Sequence, residues 1–374
     1  MTPIGPVFAF LFVSWVNHAV VVEAQIGNST QELQQRAQNA IEHYRFEEAQ
    51  SLLTQLIEQD PPHPEWYVQL GATWIGLQNP EKAREAFERA IQLDPDHAEA
   101  HTLLAIYYYE EVQNFAEAEK HLLRALETHP HYKKALQLWI EILVSQRRLE
   151  EAVQQVQTWK EIQLDEGTYY FFQGQIAFLQ NQLEPAETHF QKALKAGATY
   201  PEIHRFLAQI YQALGKTDLA QSHLKQFQER KKIEQTKTFL LQQIRLKPED
   251  ASRWFALGIY YLQNNDSDRA LSHLTRGLEL DSNQAKIQSL VGKIYLQRNQ
   301  ADDALPYVQK AVEINPDSGE DWNNLGICYL FQKDYSRAIA AFENALQRGG
   351  DNPRIRSNLE AARAQIKKTT PERH

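Results

Sequence analysis

Residues 186–194 read AETHFQKAL, and three other stretches echo them: AEKHLLRAL at 118–126, AQSHLKQF at 220–227 and ALSHLTRGL at 270–278. A glutamate, a histidine and a lysine this close on a helix would suit a metal site or a general base. Recurrence argues for scaffold instead. His121 and His189 lie 68 residues apart, two steps of 34, and His223 follows His189 by 34. His273 comes 50 residues later, 34 plus an insert of 16. A catalytic constellation is normally unique in a chain, whereas a structural slot repeats.

Aligned on Ala186, the series runs Ala49, Ala83, Ala118, Ala152, Ala186, Ala220, Ala270, Ala304 and Ala338. Four residues on, every occupant is apolar: Leu53, Phe87, Leu122, Val156, Phe190, Leu224, Leu274, Val308 and Phe342. Twelve residues before the alanine the occupants are mostly small: Ala37, Gly71, Ala105, Ile140, Gly174, Ala208, Gly258, Gly292 and Gly326. Offsets of 0, +4 and +7 share one helical face, so the alanine marks the second helix of each unit. The earlier apolar run, such as WFALGIYYL at 254–262, is the first helix. Asn79-Pro80 supplies a cap followed by a first-turn proline, and Pro95, Pro248 and Pro316 stop the second helices. The small slots mark a close helix crossing, where an added side chain would cost about 1–3 kcal/mol.

The set Tyr67–Leu70–Gly71–Trp74–Ala83–Phe87–Ala90–Pro95 resembles the tetratricopeptide repeat signature. The same pattern returns at Trp254–Leu257–Gly258–Tyr261–Ala270 and at Trp322–Leu325–Gly326–Tyr329–Ala338–Phe342–Ala345. The resemblance implies an all-α solenoid, a right-handed superhelix of helix-turn-helix hairpins, with about nine repeats and a C-terminal capping helix. The units are 30–63, 64–97, 98–132, 133–166, 167–200 and 201–234 in a first block spanning 25–234, then 251–284, 285–318 and 319–352 in a second block spanning 251–352. Residues 235–250 between them are an inserted or extended helix, and 353–374 are the capping helix and tail.

At 374 residues with 43% hydrophobic content, the chain can bury a substantial core. A net charge of −9 opposes nucleic-acid binding, so no nucleic-acid partner is expected, and an RNA-reading helical array is disfavoured. The single cysteine, Cys328, excludes an intrachain disulfide and reads as a packed thiol. The N-terminal stretch differs from the rest. Its apolar run at Val7–Val16 precedes Val22-Glu23-Ala24, which places signal-peptide cleavage before Gln25 and makes residues 1–24 a leader. Export to the periplasm or secretion follows. The alternative is an uncleaved membrane anchor over residues 4–22, interrupted by Pro6, Asn17 and His18.

No phosphate loop, nucleophile elbow or paired-carboxylate signature occurs, so no catalytic residue, metal ligand or cofactor is assigned. His97-Ala98-Glu99 with His101 departs from the metalloprotease pattern, which needs glutamate directly after the first histidine. The resemblance implies that first helices line a groove, with positions 2, 5, 9 and 12 of each unit facing a partner. The candidates are Tyr109, Gln137, Phe171, Gln175, Phe178, Arg205 and Gln209 in the first block, then Phe255, Ile259, Lys293 and Asn323 in the second. Aromatic patches among amides suit a peptide or helix of a partner protein. The lysine and asparagine of chaperone-binding members are missing at positions 5 and 9, which read Thr102/Ile106, Phe171/Gln175 and Phe255/Ile259. The expectation is a non-catalytic, exported interaction scaffold. The alternative is a membrane-anchored assembly factor for envelope or polysaccharide machinery, touching the membrane only if the leader is retained.

Overall fold

The computed structural model describes residues 28–59, 63–162, 164–350 and 352–369. The leader at residues 1–24 and the anchor alternative at 4–22 lie outside the described residues. Within the described residues are nineteen α-helices and no strand. In chain order they pair as α1 (Asn28–Glu42) with α2 (Phe46–Gln59), α3 (Pro64–Gly76) with α4 (Pro80–Leu93), α5 (Ala98–Glu110) with α6 (Phe115–Thr128), and α7 (Lys133–Ser145) with α8 (Leu149–Glu161). Then come α9 (Glu166–Leu179) with α10 (Leu183–Lys195), α11 (Glu202–Ala213) with α12 (Thr217–Leu246), and α13 (Ala251–Gln263) with α14 (Ser267–Leu280). The last pairs are α15 (Ala285–Gln297) with α16 (Ala301–Ile314) and α17 (Gly319–Phe331) with α18 (Tyr335–Gly349), followed by α19 (Pro353–Thr369). They form two compact units, divided between Thr238 and Phe239 inside α12. Residues 235–246 continue α12, a single helix of 30 residues.

Each hairpin closes on the small slot. The alanines from Ala49 to Ala338 are fully buried, apart from Ala220 at 5% exposure. A β-carbon added at Gly174 would stand 2.7 Å from the Phe190 ring, and one at Gly326 would stand 2.5 Å from the Phe342 ring. Phenylalanine faces glycine in three hairpins (Gly71/Phe87, Gly174/Phe190, Gly326/Phe342), leucine faces alanine at Ala37/Leu53 and Ala105/Leu122 and glycine at Gly258/Leu274, and valine faces Gly292 at Val308 and Ile140 at Val156. A ring is thus seated only opposite glycine, as close packing demands. Pushed apart by Ile140, α7 and α8 approach less closely than the glycine-crossed hairpins. The sixth hairpin departs from the rule. Helices α11 and α12 do not close on each other in the same way, and Leu224 is left 46% exposed, although its sequence position marks it as core.

Turns repeat as faithfully as crossings. Tyr44, Gln78, Gln113, Arg147, Asn181, Asn265, Asn299 and Lys333 all hold positive φ between 56° and 62°, and Gly215 takes the equivalent place in the sixth hairpin. Each lies five residues before the marker alanine, where the chain reverses. The next residues cap the second helix: Asn79, Asn114, Asp266 and Asp334 accept the backbone N–H three residues on. A left-handed backbone costs a side-chain-bearing residue about 1 kcal/mol relative to glycine. Lys333→Gly is therefore expected to stabilise the second unit by about 0.5–1 kcal/mol, read as a raised melting temperature, whereas Gly215→Ala lowers that of the first.

The first helices are tied back to the preceding turn by a recurring bond. Trp254 Nε1 donates to the Pro248 carbonyl at 2.7 Å and Trp322 Nε1 to Pro316 at 2.8 Å. In these units the donor stands at the fourth position. In the third hairpin it is His101, whose Nε2 lies 3.0 Å from the Pro95 carbonyl, and in the eighth it is Gln288, donating to Ser282 at 2.9 Å. Cys328 is buried, which pushes its thiol up to about 12 and keeps it protonated.

Candidate protein-binding surface

Within each unit, successive first helices also touch one another: α5 with α7, α7 with α9 and α9 with α11, then α15 with α17 and α17 with α19. The first helices thus form one layer and the second helices another. This neighbour packing decides which positions of a first helix meet solvent. Position 5 turns into the seam between neighbours at Phe171, Phe255 and Asn323, whereas position 9 stands clear of it at Gln209, Ile259 and Lys293.

Three sequence-based candidates are corrected on this ground. Phe171 (5% exposed) stacks on Tyr200 with ring centres 4.2 Å apart and also meets Phe172 and Phe190. Phe255 (8% exposed) packs where a β-carbon at Gly277 would clash with its ring. Asn323 is buried, and its Oδ1 accepts from Asn358 Nδ2 at 3.1 Å. All three occupy position 5 and hold the helix layer together instead of presenting a surface.

The remaining candidates stay accessible. Gln209, Ile259 and Lys293, all at position 9, are exposed, and Gln175, Gln137, Tyr109, Phe178 and Arg205 are half-buried. Phe178 meets the Phe206 ring at 5.1 Å, and the Arg205 guanidinium lies 4.5 Å from the centre of that same ring. Tyr109 stands edge-on to Phe115 at 5.6 Å.

Position 9 of the fourth unit is Glu141. Gln137 Nε2 donates to Glu141 Oε1 at 3.0 Å. Burial holds the Glu141 carboxyl above its ordinary range, opposed by the Gln137 bond and reinforced by the charge of Glu202. One hairpin earlier, burial likewise raises Glu99, while Lys134 at 3.7 Å pulls it back. This stretch of the first unit therefore offers half-sequestered carboxyls among amides and aromatic edges, a lining able to grip polar and cationic groups of an extended chain. Position alone places Glu141 on this face, one repeat from Gln175 and two from Gln209, but gives no sign of its burial or of the Gln137 bond.

The histidines lie together elsewhere. His101 Nδ1 and His121 Nδ1 are 2.9 Å apart, and His204 Nδ1 and His223 Nδ1 are 3.0 Å apart, in matching slots of the third and sixth hairpins. Tyr108 stacks on His121 and Tyr211 on His223. Burial holds all four below the ordinary histidine value, with His121 and His204 reaching about 4. Each pair is a neutral hydrogen bond inside a hairpin. His97 pairs instead with Glu65 at 3.3 Å. Among the described residues no three metal-ligating side chains converge.

Two sequence profiles described as tetratricopeptide repeat match the chain, one at residues 40–107 and 295–366, the other at 207–285 and 255–319, together more than half of its length. Among curated proteins, the human protein O-mannosyl-transferase TMTC3 is 29% identical over 177 residues, which are 46% of this chain and 19% of that protein. The type IV pilus assembly protein PilF of Pseudomonas aeruginosa is 25% identical over 144 residues, 37% of this chain and 55% of that protein. The chain thus spans about a fifth of the first relative and about half of the second. Of solved structures, the type IV pilus biogenesis factor PilW is 18% identical, covering 55% of this chain and 94% of that one at a TM-score of 0.47. With its repeated alanines, matched crossings and stacked hairpins, the chain belongs to the tetratricopeptide repeat family.

Proposed function

We propose that this chain is a non-catalytic, exported scaffold that holds a segment of a partner protein against its first-helix layer. The observation that carries this reading is the accessible row made by Tyr109 at position 12 of the third unit and by Glu141, Gln175 and Gln209 at position 9 of the next three. Such a row presents hydrogen-bonding groups at a regular helix-to-helix interval of about 10 Å, matched to an extended peptide or a docked helix. Placing a photo-crosslinking residue at Gln175 or Gln209 should capture a partner, while the same residue at Thr188 or Glu184, on the second-helix layer, should not. Equal capture from both layers would sink the groove reading.

A second reading is an assembly factor held at the membrane by a retained leader. The partial likeness to a pilus assembly protein supports an envelope setting. Among the described residues no helix is long and apolar enough to cross a membrane, so a tether would reside in residues 4–22. N-terminal sequencing of the exported protein separates the two: a mature start at Gln25 removes the tether.

A further inference from the structure

In the second unit, α15, α17 and α19 enclose a cavity of about 540 Å³. Leu296, Ile327 and Ile355 supply apolar wall, and Lys293, Asn324 and Arg354 supply polar groups. Asn324 is 8% exposed, and its Nδ2 has no hydrogen-bond partner among the described residues. Leaving such a donor unmet is costly enough that native interiors rarely do so, and this one lines an open cavity. Its neighbour Asn323 differs, since its oxygen is already engaged by Asn358.

The free positive potential lies on the α19 side. The first turns of α17 and α19 both line the cavity, through Gly319 and Arg354, and helix N-termini favour negative charge. The first turn of α17 already carries Glu320 and Asp321, whereas no acidic residue occupies the first turn of α19. Among the described lining residues Lys293 and Arg354 stand against one carboxylate, Glu320, which holds Lys293 at 3.0 Å in a rim pair exposed on both sides. A rim pair of this kind is weak, so an incoming carboxylate competes for the lysine at little cost.

We propose that this cavity seats one apolar side chain of an acidic partner segment. The side chain lies against Leu296, Ile327 and Ile355, and the main-chain carbonyl beside it accepts from Asn324 Nδ2. An adjacent Asp or Glu carboxylate meets Lys293 and Arg354. The assignment rests on the scaffold reading above and adds the chemistry of the occupant. It also gives α19 a second role, since the helix that covers the last apolar face becomes one wall of a site.

A random peptide library displayed on phage, panned against the full chain, tests it. Selected sequences should share an apolar residue next to Asp or Glu. The synthetic peptide should bind Asn324→Asp and Arg354→Glu about tenfold or more weakly than the unaltered protein, by fluorescence anisotropy. Arg354 is exposed, so its variant keeps the fold and decides the matter if Asn324→Asp does not, as a thermal melt will tell. Selected peptides without acidic residues, or equal binding by both variants, overturn this site and leave the photo-crosslinking result at Gln175 and Gln209 to judge the scaffold reading. Failure to select any peptide overturns the site too.

Discussion

Gly174→Ala is expected to destabilise the first unit by about 1–3 kcal/mol, because the new methyl meets a fully buried ring. The Phe190 ring sits 2.7 Å from where that carbon would be, and the ring is itself hemmed in by Phe171 and Phe206. Phe190→Leu alone should also destabilise, by roughly 1–2 kcal/mol, through the cavity it leaves. The double variant should recover most of both losses, since Ala/Leu is the pairing that the chain already uses at Ala37/Leu53 and Ala105/Leu122. Urea unfolding of the three variants gives the coupling energy directly, and contact pairs of this kind couple by about 0.5–3 kcal/mol. Strictly additive losses would show that the two slots do not share one volume. Gly326 and Phe342 offer the same cycle in the second unit, where the spacing is 2.5 Å.

The second large effect is with acid. His121 and His204 are held down to about 4, chiefly by burial, aided by His101 and Lys120 for the first and by Arg230 and His223 for the second. An unfolded histidine titrates near 6.5, so between about pH 6.5 and 4 the unfolded chain binds protons that the folded chain refuses. Stability contributed by these groups is thus full above pH 6.5 and is lost as the pH falls toward 4. Discounting for residual solvent access, the two pairs together should cost roughly 2–4 kcal/mol by pH 4.5. Glu99 and Glu141 act in the opposite sense, because their folded values are raised and protonation relieves them as the pH falls. The clean measurement is therefore a difference. His121→Asn with His223→Asn replaces each Nδ1 by an amide of similar reach, and the melting temperature of this variant should fall less between pH 7 and 4.5 than that of the unaltered chain. Parallel slopes would mean that the pairs titrate as exposed imidazoles.

Much of this molecule is written in its period. Nine alanines at one register mark the second helices, and the buried crossings lie where they predict. Leu224 is the exception, since the pattern marks a core residue without revealing that α12 runs on for 30 residues and that its hairpin stays open. The candidate surface was less legible. Counting positions along a helix cannot tell a seam from a free edge. The seam is made by the next helix, which is why Phe171, Phe255 and Asn323 turned inward while Gln209, Ile259 and Lys293 stayed out. Asn324 left no sequence signal, because an unmet amide is a property of three helices meeting and not of a spacing.

The paired crossings bear on how such a chain can change over time. Both members of each pair, as in Gly71 with Phe87 or Ile140 with Val156, fall inside a single hairpin. A hairpin copied, deleted or exchanged whole therefore brings its own fit along. A substitution at one member strands its partner. Lengthening by duplication is in this sense the easier route for the array, and piecemeal drift at the crossings the harder one.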